Sequence, residues 1–595
     1  MQLAFEGIND KEINYILDQL HQIMDPLDPN RYRKKPYNLR KTNGERVWDG
    51  RVKIMNRKNK TVPTGLYPEL YNFLIKLKDL KGYNFKFVDN RGPKLTAKIP
   101  NSITLDGHGE EKTITLRDYQ YQSVVNALRE QNGILLEATN AGKSAVSISL
   151  YKYLLPILDE GQKLLFIAPN SSIMNQLYLK FQHYIGEQYI GVWGDGKKDL
   201  DYPIVCATIQ TIASAIKEPE TKLTRKNDKL VERLATRYAP AVLEKGSPRA
   251  NLMLLALNFK PKYKYEQDDL ELLRSLTMSL QTDDDVRGCM EAYQKKYKKL
   301  LYKLNKKGYE KYYEAIDTLK SVRGVVCDEA HSAGAISYWN IFQYMTNARL
   351  RIGMTGTLDK SKKIHMQRIK AILGNPIISV TNKQMIDRGV SAKPHIRMVP
   401  IDQPANLEQQ IGAIAQKKGI TGGSTSDLMM YQLAYQLGVV QNSYRNSIIA
   451  QLANATAKQL DKQAVLIIVN SIEHGENICK ELDKLGADYL FIQGKDDTET
   501  REKALAKVRN GELKILIGTK IIDTGIDVDR FKALILCSSG KSYISLLQRI
   551  GRILRMRKDK KEVIVFDLLD RTSEILYKHG KQRIRYYKEQ GFDVK

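Results

Sequence analysis

The chain has 595 residues, 42% hydrophobic and 27% charged, the balance of an ordinary globular protein of roughly four domains rather than of a fibrous or disordered chain. Its formal charge of +28 points to a polyanionic partner, most often nucleic acid, or else to a uniformly basic solvated surface. The five cysteines form no CxxC pair, which argues against a structural zinc site or a disulfide framework.

The opening MQLAFEGINDKEIN lacks a basic stretch followed by an apolar core, and no segment offers the ~18 continuous apolar residues of a membrane helix. An intracellular, cytoplasmic location is expected. Residues 1–110 read as a small basic domain. Within it WDGRVKIM is expected as a strand, NRKNKTVPTG as a turn and YPELYNFLIKLKDL as a helix. NSITLDGHGEEK, 101–112, suits a linker.

From 113 to about 211 the apolar runs GILLEA, KLLFIAP and IVCAT alternate with helical stretches, which predicts an α/β fold with a parallel sheet. Residues 213–320 interrupt this rhythm and read as a helical insertion. One helix carries Leu270, Leu273, Leu276 and Leu280, and another carries Tyr293, Tyr297, Leu300 and Leu304. Between Tyr293 and Tyr313 stand eight lysines against one acid, Glu310, with tyrosines interleaved. Two readings fit: lysines on phosphates with tyrosines stacked on bases, or a solvated helix whose tyrosines face a core. The sheet pattern resumes at GVVCDEAH (324–331), RIGMTGT (351–357) and PIISVT. A second series, AVLIIVN, YLFIQG, KILIGT, ALILCS and VIVFDL, predicts a second parallel α/β domain.

Three stretches carry chemistry. In LLEATNAGKS (135–144) a buried strand leads through a loop to a helix N-terminus, the setting that favours a bound phosphate. Lys143 is expected to pair with the β- and γ-phosphates and Ser144 to offer its hydroxyl to Mg²⁺. Asn140 stands where glycine is common, a position asparagine tolerates. CDEAH ends an apolar strand with Asp328, expected to hold Mg²⁺ through water, and Glu329, expected to polarise the attacking water. In QRIGRILR (548–555) Arg552 and Arg555 fall on one helix face, suited to phosphate charge.

In their order these stretches resemble the superfamily 2 DEAH-box helicases over roughly 113–570, the insertion apart. That resemblance implies two tandem RecA-like domains, 113–395 and 396–570, then a helical tail, 571–595, with ATP and Mg²⁺ as cofactors. LRDYQ is similar to the adenine-recognition motif, which implies Arg117 and Gln120 as readers. ATNAGKS resembles motif I, with Thr139, Asn140, Ala141 and Gly142 joining Lys143 and Ser144 around the nucleotide. APN and ATIQT resemble motifs Ia and Ib, implying nucleic-acid contacts at Pro169 and Thr208. DEAH resembles motif II and TGT motif III, implying coupling roles for His331, Thr355, Gly356 and Thr357. IGTKIIDTGIDV resembles motif V, with Thr519 on a strand phosphate and Gly525 and Asp527 near ATP. QRIGRILR resembles motif VI, with Arg552 and Arg555 as arginine fingers and Gln548 in coupling.

A shorter likeness to phage UvsW-type and XPB-like DNA helicases lies in WDGRVKIMNRKNKTVPTGLYPELYNFL, IDRGVSAKPHIRMV and HGKQRIRYYKEQGF. It implies duplex, branched or single-stranded DNA as partner, RNA in R-loops included, and branch migration, fork regression or R-loop unwinding as the activity. An RNA helicase, a motor subunit serving a nuclease, and a nucleic-acid-binding scaffold with little turnover are the alternatives.

Overall fold

The computed structural model describes residues 1–34, 48–107, 113–221, 223–419, 424–519, 530–537, 540, 542–557 and 560–595, without the side chains of Arg33, residues 424–426, Thr498, Tyr543, Ile544 and Arg552. They form two compact units, Met1–Thr211 with Lys320–Lys595, and Ile212–Leu319.

The first unit opens with an antiparallel pair, β1 (Gln2–Glu6) and β2 (Asn84–Val88), beside the helices Asp10–Met24 and Tyr67–Lys81. The second helix ends where Gly82 takes a left-handed conformation, φ 69°, which glycine adopts without strain. The cluster of Ile16, Leu17, Leu20, Leu66 and Leu70 also takes in Ala371 and Trp339 of the following α/β region. Gly65 permits that approach, because a Cβ there would stand 2.0 Å from the Lys370 carbonyl oxygen. WDGRVKIM is not a strand. Arg51 makes only an isolated bridge to Leu27, and the backbone N–H groups of Ile54 and Met55 donate to the Asp25 carboxylate rather than to a ladder. The expected linker also contains structure: β3 (Thr104–Leu105) pairs with β4 (Ile114–Thr115), and Ile103 and Leu105 are buried in the core that follows.

That core belongs to an eight-stranded sheet. Its strands are β5 (Asn132–Glu137), β6 (Lys163–Ala168), β7 (Ile190–Gly194), β8 (Lys197–Lys198), β9 (Ile204–Thr208), β10 (Val322–Cys327), β11 (Leu350–Thr355) and β12 (Pro376–Val380), in the order β12-β5-β11-β10-β6-β9-β7-β8. All pairs are parallel except β7–β8. Each of β7, β9 and β10 is buried at every position, as strands covered on both faces must be.

The second sheet has seven strands: β13 (Lys393–Ile401), β14 (Ala464–Ile468), β15 (Leu490–Ile492), β16 (Ile515–Gly518), β17 (Phe531–Leu536), β18 (Glu562–Asp570) and β19 (Asp593–Val594), ordered β15-β16-β14-β17-β18-β13-β19 and wholly parallel. Two parallel α/β sheets are the fold class the apolar runs predict. β13 starts at Lys393, so the second sheet takes in residues on both sides of the expected 395/396 division. The tail beyond 570 is not helix alone. Its helix Glu574–Glu589 leads into β19, which extends the sheet beside β13. Arg583 fixes that helix through a bidentate pair with the buried Asp567, at 2.8 and 2.9 Å, and Tyr587 donates to the same carboxylate at 2.6 Å.

The second unit is helical, with helices Lys226–Arg233, Pro248–Asn258, Lys264–Ser279 and Asp283–Leu304 around Leu234, Tyr238, Leu252, Leu273, Val286 and Met290. Leu273 is in this core as expected, whereas Leu304 is exposed. Among the described residues no helix is long and apolar enough to cross a membrane.

Candidate active site

β5, β11 and β10 are neighbours in the first sheet, so their carboxyl ends bring together three loops that are far apart in sequence. In open α/β sheets ligands bind at that edge. The loop after β5 carries Thr139 to Gly142 into the helix Lys143–Leu154. Asn140 (φ 72°) and Gly142 (φ 87°) are both left-handed, which turns the loop sharply enough to present the helix N-terminus. Behind the loop, Gln120 is buried. Its amide oxygen accepts from the Arg117 N–H at 2.9 Å and its amide nitrogen donates to the Ala141 carbonyl at 2.7 Å. A Cβ at Gly142 would lie 2.1 Å from that nitrogen. Gln120 thus braces the loop backbone, while Arg117 lines the cavity in front of it.

That cavity, about 500 Å³, is lined by Arg117, Asn140, Gly142, Ser144 and Arg555, among others. Its volume is in the range of small-molecule sites. Lys143 is close enough for its charge to act on Glu137, Asp328 and Glu329.

Asp328 and Glu329 follow β10. The Asp328 carboxylate is buried and accepts the Glu329 N–H at 2.9 Å. Burial, reinforced by the Glu329 charge, pushes the Asp328 carboxyl above its ordinary range. Burial also opposes the Glu329 charge, but the His331 hydrogen bond and Lys143 outweigh it and hold that carboxyl below its ordinary range. Glu329 has φ 46°, a left-handed position that costs a non-glycine residue about 1–3 kcal/mol. His331 Nδ1 lies 3.1 Å from both Glu329 Oε2 and Thr355 Oγ1, and Thr355 in turn donates to the Thr357 carbonyl at 3.1 Å. A Cβ at Gly356 would stand 3.4 Å from the Glu137 carbonyl, so this third loop packs on the first.

The helix Tyr543–Ile553 of the second sheet meets these loops. Asn140 donates to the Gly551 carbonyl at 3.3 Å, Gln548 hydrogen-bonds Glu329, and Gly551 packs directly on Thr139. Arg549 is buried and donates to Asn470 Oδ1 at 2.9 Å. Arg555 lies in the cavity wall, its backbone bridged to Ser391. Arg552 lies on the same helix, and its side chain is outside the description, as are Gly525 and Asp527. Thr519 follows β16 and donates its N–H to Ile492 at 3.4 Å. Pro169 and Thr208 stand apart from this assembly, at the ends of β6 and β9. Thr208 is buried with its hydroxyl 2.8 Å from that of Thr211, and the Pro169 carbonyl accepts from Gln210 at 2.9 Å.

Two contributors escape a reading of motifs. Glu137 is fully buried at the end of β5. Its Oε1 accepts the Ser123 hydroxyl at 2.5 Å, its Oε2 has no hydrogen-bond partner among the described residues, and burial raises its carboxyl. An acid closing the apolar run GILLEA is its only signal in sequence. Arg388 clasps Asp118 at 2.6 and 2.8 Å and lies over the Tyr119 ring, tying the region after β12 to the Arg117 segment; it falls within IDRGVSAKPHIRMV, but no local pattern there points to Asp118.

The family model described as type III restriction enzyme, res subunit, matches residues 113–232, and the helicase conserved C-terminal domain model matches 446–557. The ATP-dependent DNA helicase uvsW of Enterobacteria phage T4 is 23% identical over 574 residues, 92% of this chain and 89% of that protein. Putative helicase 161L of Invertebrate iridescent virus 6 is 34% identical over 165 residues, 26% of this chain and 35% of that one. The crystal structure of T4 UvsW aligns over 100% of this chain and 99% of its own, with 17% identity and a TM-score of 0.37. One family model falls on each parallel sheet, and the T4 similarity runs through both. The chain is an ATP-hydrolysing helicase of superfamily 2, similar to the UvsW type.

Proposed function

We propose that this helicase is a DNA translocase that remodels duplex or branched DNA by branch migration, fork regression or R-loop unwinding. The observation that carries the reading is the seam itself: the loop 139–144, the Asp328–Glu329 pair and the helix Tyr543–Ile553 meet at one carboxyl edge, joined by Asn140 to Gly551 and Gln548 to Glu329. In this reading residues 113–395 and 396–570 act as the two motor halves, and residues 1–110 and the tail 571–595 flank them. A nucleic-acid partner is supported by the charge of +28, and DNA rather than RNA by the similarity, over 92% of the chain, to a protein named a DNA helicase.

The donor set suits the cofactors. A carboxylate and a hydroxyl are the hard oxygen ligands that Mg²⁺ takes alongside water and phosphate, and Asp328 and Ser144 would supply them. Held by these two residues, Mg²⁺ would supply positive charge against the phosphates. Lys143 and the N–H groups of the loop would hold the terminal phosphates. Glu329, kept ionised by His331, would orient and deprotonate the attacking water. Arg552 and Arg555 would reach the same phosphates from the second half, where guanidinium charge favours the transition state. His331, Thr355 and Thr357 link the Glu329 loop to the third loop, a route by which a change at the nucleotide reaches the next strand. Closure around nucleotide would complete the site, and reopening would move a strand held by both halves.

The test compares ATP-driven unwinding of DNA forks, four-way junctions and R-loops with RNA duplexes of equal length. Preference for branched DNA is expected. Preference for the RNA duplex would overturn the assignment of substrate.

A further inference from the structure

The helical unit Ile212–Leu319 carries a charge pattern that the ATP site does not use. Lys295, Lys296, Lys298, Lys299 and Lys303 lie on the helix Asp283–Leu304 and are all exposed, as are Lys306, Lys307 and Lys311 on the helix Lys306–Ser321. Of these eight only Lys306 has a carboxylate within ion-pair reach among the described residues, Glu310 at 3.7 Å. At 100° per residue the five lysines of the first helix fill an arc of roughly 160°, opposite the buried Val286, Met290 and Leu301. From Lys295 to Lys303 the row runs about 12 Å along the helix, the length of three to four phosphates on one strand.

The interleaved tyrosines are already engaged. Tyr293 packs on the unit's core, Tyr297 reaches Glu232 at 3.5 Å, and Tyr309 is buried with its hydroxyl 3.2 Å from Glu218. Tyr302, Tyr309 and Tyr313 pack on one another with ring centroids 6.0–6.4 Å apart. The two sequence readings of this stretch therefore divide between the residue types: the tyrosines hold the helices together and the ammonium groups face solvent.

We propose that this lysine face is an auxiliary grip on the phosphodiester backbone of the DNA substrate, and that it reads no bases. The choice of partner follows from the residue types. Protein interfaces are depleted in lysine and enriched in arginine and aromatic anchors, whereas lysine point charges neutralise phosphates without bidentate geometry. No arginine occurs between Tyr293 and Tyr313. The inference rests on the DNA reading above, and the experiment separates the two.

In the full chain, Lys295, Lys296, Lys298 and Lys299 are replaced together by glutamine, and separately by arginine. Binding to a labelled DNA duplex is followed by anisotropy across a sodium chloride series, with ATP turnover measured without DNA. Each lost contact should lower the slope of log K against log salt by about 0.9. The glutamine variant is expected to lose about 2–4 units of slope and about 10- to 100-fold in affinity at moderate salt, with the loss equal for unrelated sequences. Turnover without DNA should be unchanged, and the arginine variant should keep the wild-type slope. An unchanged slope in a folded glutamine variant, or a loss confined to one sequence, overturns the backbone grip. Failure of the wild-type chain to bind DNA at all overturns the DNA reading instead.

Discussion

Replacing Gly551 with alanine places a methyl group in the seam between the two sheets. A Cβ there would lie 2.6 Å from Thr139 Cβ and Oγ1 and 2.7 Å from Cγ2. Carbon atoms rest at about 3.5–4.0 Å, so the helix must retreat from the loop by about 1 Å. Overpacking of that size costs about 1–3 kcal/mol. If the contact must form for turnover, this corresponds to about a 5- to 150-fold lower kcat. The same substitution sits in a helix, where alanine is favoured over glycine by up to about 1 kcal/mol. The overpacking cost is at least as large as the helix gain, so ATP turnover should fall while Tm holds or drops slightly. Both are measured on one preparation, by coupled ATPase assay and thermal unfolding. A Gly551→Ala variant with wild-type kcat would refute the claim that this seam closes during turnover.

Three further outcomes follow from buried charge. Glu137 has its carboxyl raised by burial, so the stability it contributes is complete below the unfolded carboxyl range and is lost as pH rises through the folded value; Glu137→Gln should raise Tm at pH 8 and lose that advantage near pH 4, and a lower Tm at pH 8 would contradict it. Arg583→Met strands Asp567 in the interior and should cost about 3–5 kcal/mol in denaturant unfolding, with Arg583→Met/Asp567→Leu recovering much of it; a fully stable single variant would show that the pair does not anchor the tail helix. His474 is buried with Nε2 3.1 Å from Asn446 Oδ1, and burial pushes its imidazole down to about 3. Its contribution is complete above the ordinary histidine value and is lost as pH falls from about 6.5 towards 3, a span of order 5 kcal/mol. The urea midpoint should flatten over that range in His474→Gln, and an unaltered pH profile would count against it.

The two parallel sheets were legible because strands covered on both faces must be apolar throughout, as in IVCAT and GVVC. β7 and β13 were less so: IGVWG is glycine-spaced, and KPHIRMVPI mixes charge and proline, its strand state coming from β18 alongside. WDGRVKIM has the alternation of a strand, but Asp25 takes the N–H groups that a neighbouring strand would have needed. At the site, the loop around Lys143 and the DEAH run were visible because their local setting of apolar strand, turn and helix is encoded nearby. That β5, β11 and β10 are neighbours is a matter of sheet order, which no local pattern carries. For the same reason the use of Gln120 as a brace for Ala141 appears only once the loop is folded against its helix.

ATP turnover in the presence of forked DNA, with Lys143→Ala as its control, tests the central claim most directly. Turnover stimulated by DNA and reduced at least about 100-fold in the variant is the predicted result, since Lys143 is assigned to the charge of the transferring phosphate. Equal rates for the two proteins would contradict the account.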